Sequence, residues 1–180
     1  MQPLTEYTIT VYSENQVGLL NQITTIFTRR HINIESLTTS ESALPGIHKF
    51  TIVVYSNPVE IEKLVKQIEK RIDVIKAFYF TQDEIVYQEV ALYKVPTEAL
   101  FTGNEIEKLV RRNGARILEM TAEYAVIEKT GHKEETQELF EKLEPYGVSQ
   151  FTRSGRIAIN KLSQEPLNMH LRGLAKEEPK

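Results

Sequence analysis

Two successive βαββαβ units, an α+β fold of ferredoxin-like type, are what this 180-residue sequence predicts. Three observations lead there. Period-two stretches alternate with helical stripes in the order strand, helix, strand, strand, helix, strand, and the order recurs after a polar connector, Thr81-Gln82-Asp83-Glu84. Turn and cap signals fall at the joints: Leu44-Pro45-Gly46 between two strands, Asn57-Pro58 ahead of a helix, Asn113-Gly114 behind one. The length suits one large or two small domains, each able to bury a modest core. The expected domains are residues 5–81 and 85–162, with 163–180 as a flexible tail.

Each element has its own warrant. Tyr7, Ile9 and Val11 alternate with Thr8 and Thr10 in a half-buried first strand. Leu19, Leu20, Ile23, Ile26 and Phe27 mark the inner face of a helix from about Val17 to Arg30. Ile32 to Thr39 and His48 to Tyr55 pair as a hairpin. Asn57 caps the second helix, with Pro58 at its first position and Ile61, Leu64, Val65 and Ile68 facing in. Val74 to Phe80 closes the unit, whose helices cover one sheet face and leave the other face or an edge for a partner.

The second unit opens with Val86 to Val95, stopped by Pro96, and a helix from Asn104 to Arg112. A hairpin of Ala115 to Met120 with Tyr124 to Thr130 follows, then a helix from His132 to Leu143. Val148 to Phe151 and Arg156 to Ile159 supply short final strands. No convincing residue identity links the halves, so the repeat is one of architecture. From Ser163 the chain is polar with two prolines, and a flexible tail is expected, in which Leu171 and Leu174 are available for a short partner-binding helix.

Composition excludes several function classes. A net charge of −3 argues against general nucleic-acid binding. The absence of cysteine removes disulfides, thiolate catalysis and cysteine-based zinc sites. No apolar run approaches the ~18 residues that cross a bilayer, and Met1 to Glu6 lacks a signal core, so a cytoplasmic protein is expected. His31, His48, His132 and His170 are scattered, and Glu134, Glu135, Glu138 and Glu141 beside Lys133 and Lys142 read as a solvated helix face. Ser154-Gly155 has no nucleophile frame around it. RNA recognition, which can use the same strand order, needs stacking aromatics on the third strand; His48-Lys-Phe-Thr-Ile-Val-Val-Tyr55 puts Phe50 and Tyr55 on opposite faces.

The stretch from Glu14 to Ser40 holds the candidate binding residues. Asn15-Gln16-Val17-Gly18 precede the first helix, which therefore starts near Gly18. A helix start leaves backbone N–H groups unpaired and carries partial positive charge, so it suits a carboxylate, and glycine has no side chain to block the approach. Arg29 and Arg30 in the last turn complement the helix dipole, and Ile32-Asn33-Ile34-Glu35-Ser36-Leu37 follows as an alternating strand. A small zwitterion fits the two ends, with its carboxylate on the amides near Gly18 and its ammonium on the side-chain oxygen of Asn15 or Asn33.

Asn15-x-x-Gly18-Leu19-Leu20, Ile26-Phe27, Arg30 and Ile32-Asn33-Ile34-Glu35-Ser36-Leu37-Thr38 resemble the opening of the ACT domain in regulatory (small) subunits of acetolactate synthase, also called acetohydroxyacid synthase. The Asn-Ile-Glu-Ser-Leu run is the specific part. A weaker resemblance continues through Asp73-Val74 to Thr152-Arg153-Ser154-Gly155-Arg156, covering nearly the whole chain to about Leu162. It implies a chain with no active site of its own, which binds and activates the catalytic large subunit and makes it sensitive to feedback by valine or a related branched-chain amino acid. The thiamine diphosphate, Mg²⁺ and FAD of the reaction are implied on that catalytic partner, with no cofactor, metal or catalytic residue here. The resemblance also implies a homodimer of side-by-side ACT domains. The effector would lie between Asn15, Val17, Gly18, Leu19 and Leu20 of one copy and Asn33 and Ile34 of the other, with Leu19, Leu20 and Ile34 setting an aliphatic preference. Val17 departs from the small polar residue expected before the loop glycine, which lowers the expected affinity if that position meets the ligand's polar end. The alternative within the same resemblance is an ACT-type sensor of another enzyme or of a transcriptional system.

Overall fold

The computed structural model describes residues 4–101 and 104–177, with side chains to residue 173; Met1 to Pro3 and the Leu174 side chain lie outside the described residues. The chain divides into two units, Met1–Val86 with Arg156–Lys180, and Tyr87–Gly155. By contacts, residues from Arg156 onward group with the first unit.

The first unit contains β1 (Thr5–Glu14), α1 (Leu19–Arg29), β2 (Ile34–Glu41), β3 (Ile47–Ser56), α2 (Pro58–Ile68) and β4 (Val74–Phe80). Its strands lie in the order β2-β3-β1-β4, with each neighbouring pair antiparallel. Leu19, Ile23, Ile26 and Phe27 of α1 and Ile61, Leu64, Val65 and Ile68 of α2 close over Tyr7, Ile9, Val11, Ile52 and Val54. Each fully buried Leu, Ile or Phe contributes about 1.5–3 kcal/mol, so tertiary burial holds these 11-residue helices, which are too short to persist alone.

The helix ends follow their local chemistry. The Asn57 side chain accepts from the amides of Val59 (3.1 Å) and Glu60 (2.9 Å), so α2 starts where the Asn-Pro pair places it. At the end of α1 the His31 amide donates to the Thr28 carbonyl and the Ile32 amide to the Phe27 carbonyl, both at 3.1 Å. That paired closure puts His31 at φ 55°, a left-handed position usually given to Gly or Asn.

One expectation fails on β1. Alternation predicts a half-buried strand, yet Tyr7 through Ser13 are all buried, with Thr8 1 % and Thr10 5 % exposed. The sheet face away from the helices is covered by β9 (Ile157–Asn160) and the chain on either side of it. The Arg156 guanidinium donates to the Thr8 hydroxyl (2.8 Å) and to the Glu6 carboxylate (2.7 Å). The Thr38 hydroxyl donates to the Arg156 carbonyl (2.8 Å), the Lys49 ammonium to the Ala158 carbonyl (3.1 Å), and the Tyr12 hydroxyl to the Glu165 carboxylate (2.7 Å). Burial and the neighbouring Glu165 carboxylate hold the Tyr12 phenol well above its ordinary range, so it stays a donor. A final helix, α6 (Pro166–Glu177), stands where a flexible tail is expected, and its Leu167 is fully buried while Leu171 remains partly exposed.

The second unit is built from β5 (Ile85–Pro96), α3 (Thr97–Phe101), α4 (Glu105–Arg112), β6 (Arg116–Met120), β7 (Tyr124–Gly131), α5 (Lys133–Leu143) and β8 (Gln150–Arg153). Its strand order, β6-β7-β5-β8, repeats that of the first unit. Tyr93 is the largest side chain of its core: the ring stacks on Phe151 at 5.1 Å and the hydroxyl donates to the Thr136 carbonyl at 2.6 Å. The short helix α3 is an addition to the expected element list. The Thr97 hydroxyl anchors it by donating to the Thr121 carbonyl (2.8 Å). Among the described residues no helix is long and apolar enough to cross a membrane.

Candidate functional site

The loop before α1 is fixed by backbone bonds at both ends. The Glu14 amide donates to the Asp73 carbonyl (2.9 Å), the Gln16 amide to the Glu14 carbonyl (3.1 Å), and the Leu19 amide to the Gln16 carbonyl (3.3 Å). Gly18 then turns the chain at φ 87°, ψ −9°, a conformation that costs a side-chain-bearing residue about 1–2 kcal/mol. A Cβ built on it would meet nothing within 4 Å, so the space in front of the helix is open. No side chain caps the helix, and its first internal bond runs from the Gln22 amide to the Gly18 carbonyl (3.1 Å). The amides of Leu20 and Asn21 therefore lack an intrahelical acceptor and face out of the positive end of the helix.

The sequence-predicted residues divide by exposure. Asn15, Val17 and Gly18 are exposed, and Leu20 is 43 % exposed. Leu19 differs from expectation: at 2 % exposure it belongs to the core beneath α1 and offers a ligand no surface. Its position is one step around the helix from Leu20, and a 100° turn per residue separates the inward from the outward direction. Asn33 is exposed, and its amide nitrogen donates to the Glu35 carboxylate (3.0 Å). That bond leaves the Asn33 carbonyl oxygen as an acceptor, the polarity an ammonium requires. Glu35, two residues on, is the orienting group that sequence reasoning overlooked. Ile34 is half-buried and rests against the core.

Strand register shows which of these groups one chain can bring together. Glu14 stands opposite Ile47 on β3, while Ile34 stands opposite Val54. Those partners are seven residues apart, so the loop after β1 and the start of β2 lie at opposite ends of the sheet, separated by roughly 23 Å along the strands. A single chain cannot close both around one small molecule. The third strand also lacks a base-stacking platform: Phe50 is in the core and the Tyr55 hydroxyl donates to Glu6 (3.2 Å).

Residues 9–76 match the family described as the AHAS small subunit-like ACT domain, and residues 88–162 match the small subunit of acetolactate synthase. The chain is 35 % identical over 158 residues to the acetolactate synthase small subunit of Bacillus subtilis, spanning 87 % of this chain and 91 % of the relative. The chain belongs to the acetolactate synthase small-subunit family. Its counterpart in Mycolicibacterium smegmatis is 33 % identical over 155 residues, covering 86 % of this chain and 91 % of that one. The crystal structure of the small subunit from Thermotoga maritima superposes with a TM-score of 0.80 at 28 % identity, covering 88 % of this chain and 99 % of that chain. In this family member the ACT domain, residues 9–76, lies in the first unit, and the loop at Gly18 opens its first helix.

Proposed function

We propose that this chain is the non-catalytic regulatory subunit of an acetolactate synthase, acting in the cytoplasm in branched-chain amino-acid biosynthesis. It binds a separate catalytic subunit that holds the reaction's thiamine diphosphate, Mg²⁺ and FAD, raises its activity, and makes it sensitive to valine or a related branched-chain amino acid. The observation that carries this reading is the match of both domains, together spanning most of the chain, to the small-subunit family.

The effector site is completed by a homodimer. β2 is an edge strand, so two chains can meet there about a two-fold axis. Antiparallel pairing sets the Ile34 end of one β2 beside the Glu41 end of the other, the end of the sheet that carries the partner's Asn15–Leu20 loop. The carboxylate of an amino acid then takes the amides of Leu20 and Asn21 from one chain, and its ammonium takes the Asn33 carbonyl oxygen from the other. Leu20, Val17 and Ile34 supply the aliphatic walls. Because the ligand touches both chains, it biases the arrangement of the dimer by its difference in affinity between arrangements, and the catalytic subunit reads that bias.

Assaying the catalytic subunit with and without this chain, and with and without valine, tests the reading. Activation by the chain and its reversal by valine are expected. An activity indifferent to the chain would point to a sensor of some other enzyme.

A further inference from the structure

The ends of α1 and α2 frame an open cleft of about 630 Å³ lined by Arg30, Lys63, Lys66, Gln67, Lys70 and Arg71. Five cations on the surface of a chain with net charge −3 are a local concentration that the amino-acid site does not use. Two carboxylates answer them in part. Glu60 pairs with Arg30 (3.1 Å) and Lys63 (3.0 Å), and Glu62 pairs with Lys66 (2.5 Å). Five cations against two carboxylates leave the cleft at +3. The Arg30 Nε also donates to the Gln67 carbonyl oxygen (2.7 Å), which fixes both side chains and leaves the Gln67 NH₂ as a further donor.

Cations beside a helix C-terminus are favoured by the dipole alone, and that accounts for Lys66 in the last turn of α2. It does not account for Arg71. Its Nε is buried and has no hydrogen-bond partner among the described residues. A buried donor without an acceptor is destabilising. An oxygen-rich anion in the cleft would sit beside the charge of the Arg71 guanidinium, with Lys70 and the Gln67 amide as direct donors. The planar fork of an arginine can bond two oxygens of such a group at once.

We propose that this cleft is a binding site for a phosphate-type oxyanion, either free or as the phosphoryl end of a larger soluble metabolite. It lies within the first unit and needs no catalytic subunit, so its test stands apart from the functional reading above. Full-length chain is titrated calorimetrically with inorganic phosphate, pyrophosphate and glycerol phosphate at low and moderate salt. Saturable binding that weakens with salt and falls about tenfold in Lys70→Glu is the expected result, equivalent to the loss of one charge-assisted contact. Tighter binding of pyrophosphate marks a diphosphate ligand, and equal binding of phosphate and the ester marks a phosphoryl terminus. Arg71→Gln should weaken binding similarly. Should that partly buried change disturb folding, Lys70→Glu on the exposed surface carries the test. No saturable binding at millimolar concentration, or binding indifferent to Lys70→Glu, overturns the proposal. It is equally overturned if phosphate fails to bind while Lys70→Glu loosens the complex with another protein, since the cleft would then be a dock for an acidic protein surface.

Discussion

A Gly18→Asp chain is expected to bind valine about a hundredfold more weakly than the native chain while keeping its fold and its hold on the catalytic subunit. The glycine sits at φ 87° with open space before it, so an added side chain meets no atoms at the start of the helix. Asp tolerates the left-handed conformation better than most residues, which keeps the backbone cost near 1 kcal/mol. Its negative charge then stands at the open helix start and repels the ligand's carboxylate. Gly18→Asn separates charge from backbone, because Asn accepts the same conformation and carries no charge; it should lose far less affinity. Asn33→Ala, which removes the ammonium acceptor, should weaken valine about tenfold. Calorimetry on the three variants reads the series, and equal losses for Asp and Asn at position 18 would mean that no carboxylate docks there.

Removing one partner of the buried ion pair between Glu6 and Arg156 has the largest expected effect on stability. Glu6→Ala should lower the unfolding free energy of the first unit by about 3 kcal/mol, because it leaves a guanidinium in a site that is 9 % exposed. The figure stands at the low end for a buried pair since the Thr8 hydroxyl still accepts from Arg156. Glu6→Ala combined with Arg156→Met should recover much of the loss, as an apolar pair carries no desolvation cost. Urea unfolding followed by circular dichroism separates these outcomes; equal stability of native chain and Glu6→Ala would show the pair to be energetically idle.

The same pair sets an acid dependence. Burial pushes the Glu6 carboxyl up, but hydrogen bonds from Gln82 (2.8 Å), from the Arg156 guanidinium and from Tyr55 outweigh it, and the group titrates below its ordinary value of 4.5. A carboxylate whose folded value is depressed stabilises the fold above its unfolded value, and that contribution fades as pH falls through the folded one. The gap in stability between native chain and Glu6→Ala should therefore be full at neutral pH and narrow below about pH 4.

Much of the fold was legible because local chemistry and tertiary demand agree. Asn57-Pro58 starts α2 where cap and fixed φ both require it, and β4 spans the predicted Val74–Phe80. The covering of the second sheet face was not legible, because Thr8 and Thr10 alternate with apolar residues as solvent-facing positions do. A threonine hydroxyl can be buried once a donor reaches it, and that donor, Arg156, lies 148 positions away. The helix α6 was hidden for a related reason: two prolines and a polar composition favour a tail, and the anchor at Leu167 gains meaning only from what it packs on. In the candidate site, the loop and Asn33 were readable as chemistry. Their placement at opposite ends of one sheet required the strand register.

In the proposed mechanism two chains share one amino acid. A crystal structure of the protein grown with valine tests it most directly. The valine carboxylate is expected on the amides of Leu20 and Asn21 of one chain and its ammonium on the Asn33 oxygen of a second. Valine held by a single chain, or Asn33 facing away from any neighbour with the crevice closed, would contradict it.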